Sequence, residues 1–325
     1  MRDPLFPPCK PYAARQIAVG DGHLLYVEEC GLAHGQPVLF LHGGPGSGCS
    51  AAQRQLFDPE RYRVIFVDQR GCGRSHPLGR IEDNTTTHLV ADLEYLREAL
   101  GIRSWIVFGG SWGSLLALAY AQIYPESVQG MVLRGIFLGS PDEIRAYVDG
   151  RNGVAPEVWA AFADHVPDWE RSDLLLAYAR RILSDDPAVA SMAARAWLDY
   201  ERALMGDPPL SEAPDAGQLA KARIQMHYLR QCCFINQPGL ITGIDRLRHL
   251  PAVIVQGLAD PVCPPKTAEA LHRAWPEATW LAIKGAGHGG LSPPIARACI
   301  KALAWVSDDQ AVLAPSRLPR QEAVA

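Results

Sequence analysis

Ser111 lies in Gly109-Gly110-Ser111-Trp112-Gly113, after an apolar run at 104–108 and before a helix-forming run at 114–120. That order puts a serine at a strand-to-helix turn too tight for side chains two residues away, with its hydroxyl exposed for attack. A Gly-x-Ser-x-Gly pattern arises by chance in about one chain in ten of this length, so the serine needs partners. They follow in order. Asp260 comes just past the apolar run Ala252-Val253-Ile254-Val255, and His288 comes just past Trp280-Leu281-Ala282-Ile283. A serine hydroxyl becomes a competent nucleophile when a neutral imidazole takes its proton and a carboxylate orients that imidazole. The spacing therefore predicts a triad of Ser111, Asp260 and His288, each at the end of a strand.

An acyl transfer also needs two N–H groups aimed at the developing oxyanion. The amide of Trp112, next to the nucleophile, is one candidate. Gly44, in His42-Gly43-Gly44-Pro45-Gly46 after the apolar run 37–41, supplies the other. A glycine loop can instead cradle phosphate, but neither GxxxxGK[ST] nor GxGxxG is present, and Pro45 removes an amide such a nest would use.

The elements that position these residues follow from hydrophobic pattern. Residues 16–19 and 24–27 flank Gly20-Asp21-Gly22, a hairpin signal. Apolar runs recur at 37–41, 63–67, 104–108 and 130–133, with helical windows between them such as 87–96. Threonines at 85–87 can cap that helix and Gly101 can end it. Strands alternating with helices predict an α/β fold, a mostly parallel twisted sheet covered on both faces. The sheet resumes at Ala252, so 139–248 is expected to be an inserted helical cap, with helical windows near 155–165, 170–183, 187–205 and 217–232. The expected division is a core of 1–138 and 249–325 with a cap of 139–248 after the sixth strand. Such a cap would exclude water and choose substrates. The tail past Asp308 reads as frayed.

Composition narrows the function classes. At 325 residues the chain can build one large domain with an insertion. A net charge of −4, evenly spread, gives no footprint for nucleic acid or an anionic membrane. The first residues lack an apolar signal core, and no run spans a bilayer, so a cytoplasmic protein is expected. The eight cysteines (Cys9, Cys30, Cys49, Cys72, Cys232, Cys233, Cys263 and Cys299) show no metal-ligand spacing, and no disulfide framework is expected. Neither cofactor nor metal is implied. Cys263, three residues past Asp260, is either a structural thiol or one close enough to the triad for alkylation to block activity.

The chain resembles the prolyl iminopeptidase (proline iminopeptidase) family of α/β-hydrolases from Tyr12 to Ala304. The likeness is carried by His42-Gly43-Gly44-Pro45-Gly46, Asp68-Gln69-Arg70-Gly71-Cys72-Gly73-Arg74-Ser75, Gly109-Gly110-Ser111-Trp112-Gly113-Ser114 and Leu133-Arg134-Gly135-Ile136-Phe137. Ala194-Arg195-Ala196-Trp197, Tyr200-Glu201, Arg223-Ile224 and His227-Tyr228 extend it into the insertion. The resemblance implies a cofactor-free serine peptidase that removes an N-terminal residue, preferably proline, from short peptides. It also implies carboxylates in the cap that hold the substrate's free ammonium, since a buried ammonium needs paired negative charge. Glu201 matches one such position; the second is Gln225 here. Tyr200 replaces a tryptophan, Arg145-Ala146-Tyr147 replaces a Trp-aromatic pair, and Leu229 replaces an aromatic. Phe137 and Tyr228 are expected to complete the substrate site.

Those departures leave three readings open. One is an aminopeptidase with weakened or broadened amine selectivity, anchored by Glu201 alone. Another is an amidase or esterase acting on a small molecule without a cationic end. A third is a ligand-binding receptor that keeps the triad but turns over slowly.

Overall fold

The computed structural model describes residues 4–236 and 238–308. Eight strands form one sheet in the order β1-β2-β4-β3-β5-β6-β7-β8. β1 (Ala13–Ala18) and β2 (Leu24–Gly31) pair antiparallel as the expected hairpin, with Asp21 and Gly22 at positive φ in its turn. β2 runs antiparallel to β4 (Tyr62–Asp68), and every later pairing is parallel. The parallel part comprises β3 (Gln36–Leu41), β4, β5 (Trp105–Ser111), β6 (Val128–Ile136), β7 (Ala252–Gly257) and β8 (Thr279–Ile283).

The central strands are apolar on both sides because both sides are covered. Leu39, Leu41, Ile65, Val67, Val107 and Leu133 face a core with α1 (Thr86–Ala99) and α2 (Trp112–Ile123). Their alternate neighbours Val38, Phe40, Val64, Phe66, Ile106 and Phe108 face a second core closed by α9 (Pro293–Asp308). Period-two alternation thus divides one continuous apolar run between two layers. α1 begins at the Thr85 side chain, which accepts from the His88 amide, and Gly101 lies just past its end at φ 65°.

Between β6 and β7 the chain leaves the sheet as five helices. These are α3 (Pro141–Val148), α4 (Pro156–Ala163), α5 (Leu174–Ile182), α6 (Pro187–Leu204) and α7 (Ala216–Arg230). The four helical windows read from sequence correspond to α4–α7, while α3 is additional. The start of the 170–183 window is a tight 3₁₀ turn at Asp168–Asp173, and α5 begins at Leu174, where Asp173 caps it. The cap has its own aromatic core. Phe162 stacks between Tyr178 and Tyr200 at centroid distances of 4.4 and 4.3 Å. Tyr200 is therefore a packing residue of the cap, and its hydroxyl donates to the Tyr147 carbonyl at 2.6 Å. α8 (Pro265–Ala274) follows β7. The tail past Asp308 lies outside the described residues.

Candidate active site

The Ser111 turn is held by backbone crowding. Ser111 has φ 58° and ψ −125°, a region disfavoured for a residue with a Cβ. A Cβ on Gly109 would strike the Gly113 carbonyl, and one on Gly113 would strike the Leu41 carbonyl. The two flanking glycines thus let β5 turn into α2 directly against the end of β3. As the first residue of α2, Trp112 has an amide with no acceptor inside the helix. Its buried indole donates to Gln69 Oε1 at 2.8 Å, which fixes the residue. Gly44, at φ 119°, lines the same cavity as Ser111. Behind the glycine loop, the buried His42 bonds the Gly43 carbonyl through Nδ1 and accepts from the Gln69 amide at Nε2. Burial lowers its pKa and keeps this ring neutral.

Asp260 and His288 sit on adjacent loops leaving β7 and β8. The loops are stitched by Leu258 N–H to the Ile283 carbonyl and Ala259 N–H to the Ala286 carbonyl, at 3.0 and 2.9 Å. A Cβ on Gly257 would meet the Ala286 and Gly287 carbonyls at 2.5 and 2.6 Å, so only glycine permits this approach. His288 Nδ1 lies 2.7 Å from Asp260 Oδ2. Asp260 Oδ1 accepts the amides of Val262 and Cys263 at 2.9 and 2.8 Å, which aims the carboxylate at the ring. With Nδ1–H donating to Asp260, Nε2 is unprotonated and carries the lone pair, the tautomer a general base requires.

Arg134 stands in a family motif, yet its sequence context assigns it no role. Its Nη1 donates to the His288 carbonyl at 2.7 Å and stands 3.4 Å from His288 Nε2. Burial lowers the His288 pKa first, the Arg134 cation lowers it further, and Asp260 opposes both. Ser111 Oγ is turned toward Cys263 Sγ at 3.8 Å, and no hydrogen bond joins it to His288. Such bonds are commonly loose in unliganded sites and tighten with substrate. Cys263 is therefore beside the nucleophile, but burial pushes its thiol pKa well up, and it stays protonated. Arg70 and Arg74 brace loops, Arg70 through a bidentate bond to Asp92 and Arg74 through Asp68 and Glu28.

The cavity holding Ser111 and Gly44 measures about 60 Å³ and is also lined by Phe137, Tyr147, Glu201, Gln225, Leu229 and Cys263. A larger space of about 320 Å³ lies on the α9 side of the sheet, lined by Phe40, Phe108, Arg134 and Cys299 but not by Ser111. The smaller one is the space that Ser111 lines.

The chain matches the alpha/beta hydrolase fold family over residues 36–292. It is 45% identical to a proline iminopeptidase of Arabidopsis thaliana over 299 residues, 90% of this chain and 79% of that one. A proline iminopeptidase of Neisseria gonorrhoeae is 44% identical, with coverage of 90% and 96%. The chain belongs to the proline iminopeptidase family. It is accordingly a serine hydrolase with the α/β-hydrolase fold. Among solved structures, a proline iminopeptidase-related protein from Thermus thermophilus superposes with a TM-score of 0.57 at 22% identity, covering 94% of this chain and 100% of that one. An esterase from a Rhodococcus species superposes at 0.58 and 20% identity, covering 90% and 98%. At such identities these two likenesses concern the fold.

Within this proline iminopeptidase-family chain, the expected substrate residues divide. Phe137, Glu201 and Gln225 reach the cavity; Tyr228 does not. Tyr228 is buried edge-on to Trp112 at 4.7 Å, and its hydroxyl donates to Asn84 Oδ1. It props the Trp112 end of the elbow from behind. Gln225 also behaves differently from a carboxylate mimic. The Trp197 indole N–H can only donate, so it takes Gln225 Oε1 at 3.0 Å, and Nε2 is left to donate to Glu201 Oε1 at 2.6 Å. Its oxygen is directed at the indole and its amide nitrogen at Glu201. Sequence reasoning missed Lys221, whose Nζ lies 2.9 Å from Glu201 Oε2. Its spacing of four from Gln225 puts both on one helix face, a signal that was available. Asp199 points away from Glu201, toward the Leu210 amide, as the helical angle requires.

Proposed function

We propose that this protein removes a single N-terminal residue, proline by preference, from short peptides through an acyl-enzyme intermediate. The observation that carries the reading is one small cavity lined by both the serine elbow and the Glu201 carboxylate. At about 60 Å³ it is far below the roughly 300–1,000 Å³ of sites that hold drug-sized ligands. A single small residue fits that dimension better than a long acyl chain does. Phe137 and Leu229 offer apolar walls to a side-chain ring, and Glu201 offers the ammonium its counter-charge.

In this reading Ser111 rotates onto His288 Nε2 and attacks the scissile carbonyl as His288 takes its proton. Asp260 holds the imidazolium, the amides of Trp112 and Gly44 receive the oxyanion, and His288 then protonates the leaving amine. Water repeats the sequence to release the residue. The helices inserted between β6 and β7 serve as the substrate-choosing cap over the sheet-bearing core. None of the described helices is long and apolar enough to cross a membrane. The eight cysteines are free thiols, which fits a reducing cytoplasm.

The test is a turnover panel. Pro-p-nitroanilide should be hydrolysed and its N-acetyl form ignored. Ser111→Ala should lose roughly 10⁴-fold or more in kcat while melting like the parent protein. Hydrolysis of the N-acetyl form in preference to the free amine would reject the aminopeptidase reading.

A further inference from the structure

Glu201 is already engaged by this protein's own side chains. Oε1 accepts from Gln225 Nε2 at 2.6 Å and from the Tyr147 hydroxyl at 3.3 Å. Oε2 faces Lys221 Nζ at 2.9 Å. We propose that Lys221 determines amine selectivity as an internal occupant of this subsite, an ammonium that the substrate's ammonium must displace from Glu201 Oε2. The inference rests on the aminopeptidase reading above, with Glu201 as the amine's anchor.

The two carboxylate oxygens are not equivalent. The partners of Oε1 are held from behind: Gln225 is fully buried and locked by Trp197, and Tyr147 is packed against Trp197 and Tyr200. Oε2 has a partner of another kind. Lys221 carries its charge on a flexible stem that is 28% exposed, against 17% for Glu201, so its head can swing into water without leaving a buried charge. An incoming ammonium and Lys221 therefore compete for one atom.

The root of that lysine is fixed while its head is free. α7 lies directly on the His42–Gly46 loop, where a Cβ on Gly46 would meet Ile224 Cβ at 3.0 Å and Lys221 Cα at 3.2 Å. Lys221 is thus anchored beside the loop proposed to hold the oxyanion, within reach of the acyl cavity. Electrostatics point the same way. With Gln225 neutral, Lys221 offsets the charge of Glu201; of the other charged residues lining the cavity, Glu143 has both oxygens taken by the Leu138 and Ser140 amides, and Lys266 adds a second cation. A free-amine substrate spends part of its binding on displacing Lys221, whereas an uncharged ester does not.

Steady-state kinetics of Lys221→Met, with Lys221→Arg beside it, test this. Lys221→Met is expected to lower KM for Pro-p-nitroanilide about five-fold with kcat unchanged, the size of a partly screened ion pair. Lys221→Arg, which keeps the competing charge, should show no such fall in KM. Lys221→Gln carries the same expectation if methionine disturbs the cap. An unchanged or raised KM in the neutral variants, in a parent that hydrolyses Pro-p-nitroanilide, overturns the role of Lys221 and leaves the aminopeptidase reading standing. A parent that cleaves p-nitrophenyl acetate but no free-amine anilide overturns both.

Discussion

The sheet edge and the amine end of the cap hold their functional groups by different means. At the edge, positions are set by backbone. β5 turns against β3 because Gly109 and Gly113 have no Cβ, and the Asp260 and His288 loops are stitched by peptide hydrogen bonds that Gly257 admits. At the amine end, Glu201, Gln225, Lys221 and Tyr147 are positioned by side chains contacting side chains. The first arrangement cannot be edited without moving strands. The second can exchange a carboxylate for an amide and still pack, because the Trp197 indole needs only an acceptor oxygen and Gln225 turns its own toward it. This contrast explains how the chain can carry an amide at 225, where its family resemblance implies a carboxylate, without disturbing the sheet edge.

If that contrast is right, the largest effect should come from the smallest substitution at the edge. Gly113→Ala places a methyl group against the Leu41 and His42 carbonyls, which are backbone of β3 and the glycine loop and cannot yield. The expected result is misfolded protein, or a fold destabilised by about 3 kcal/mol or more with activity gone. A variant with parent-like melting and turnover would show that the elbow tolerates a Cβ and would remove the basis of the comparison.

A step smaller, Glu201→Gln should act on binding alone. Removing the charge that holds the amine is expected to raise KM for Pro-p-nitroanilide roughly 10- to 100-fold, in the range of losing a charged hydrogen bond. kcat on p-nitrophenyl acetate should stay at the parent value, because the edge is untouched. An equal loss on both substrates would mean that Glu201 shapes the cap and does not read the amine.

The same division governs what could be read before the structure. The strand–helix alternation and the parallel sheet follow from local signals, apolar runs and glycines, and the chain order of Ser111, Asp260 and His288 puts each of them at a strand end. The hairpin was legible because Asp-Gly leaves few other turns. Pairings within the cap were only half legible: the spacing of four puts Lys221 and Gln225 on one face of α7, but nothing local names Glu201 on α6 as their shared partner. Tyr228 shows the same limit between cap and core. Its position in a motif says that it matters, yet only packing shows that it lies under Trp112 and outside the cavity. Gln225 shows a similar limit: sequence gives an amide, and the Trp197 indole decides which end faces the site.

Arg134 is a long side chain working at the rigid edge, and it gives the subtlest test. Its guanidinium bonds the His288 carbonyl and faces Nε2, adding to burial in lowering the ring's pKa. Catalysis needs the neutral ring, so the acid limb of kcat/KM follows this pKa in the free enzyme. Lowering it keeps the base unprotonated to lower pH. Arg134→Met removes the cation and should let the pKa rise, moving the acid limb to higher pH. Lost anchoring of the His288 carbonyl would instead lower the plateau, so the two effects separate within one pH profile. Arg134→Lys keeps a charge and should keep the limb near its parent position even where the plateau falls. A limb that stays in place in the methionine variant would assign Arg134 to holding the loop alone, and would restore the view that backbone sets everything at this edge.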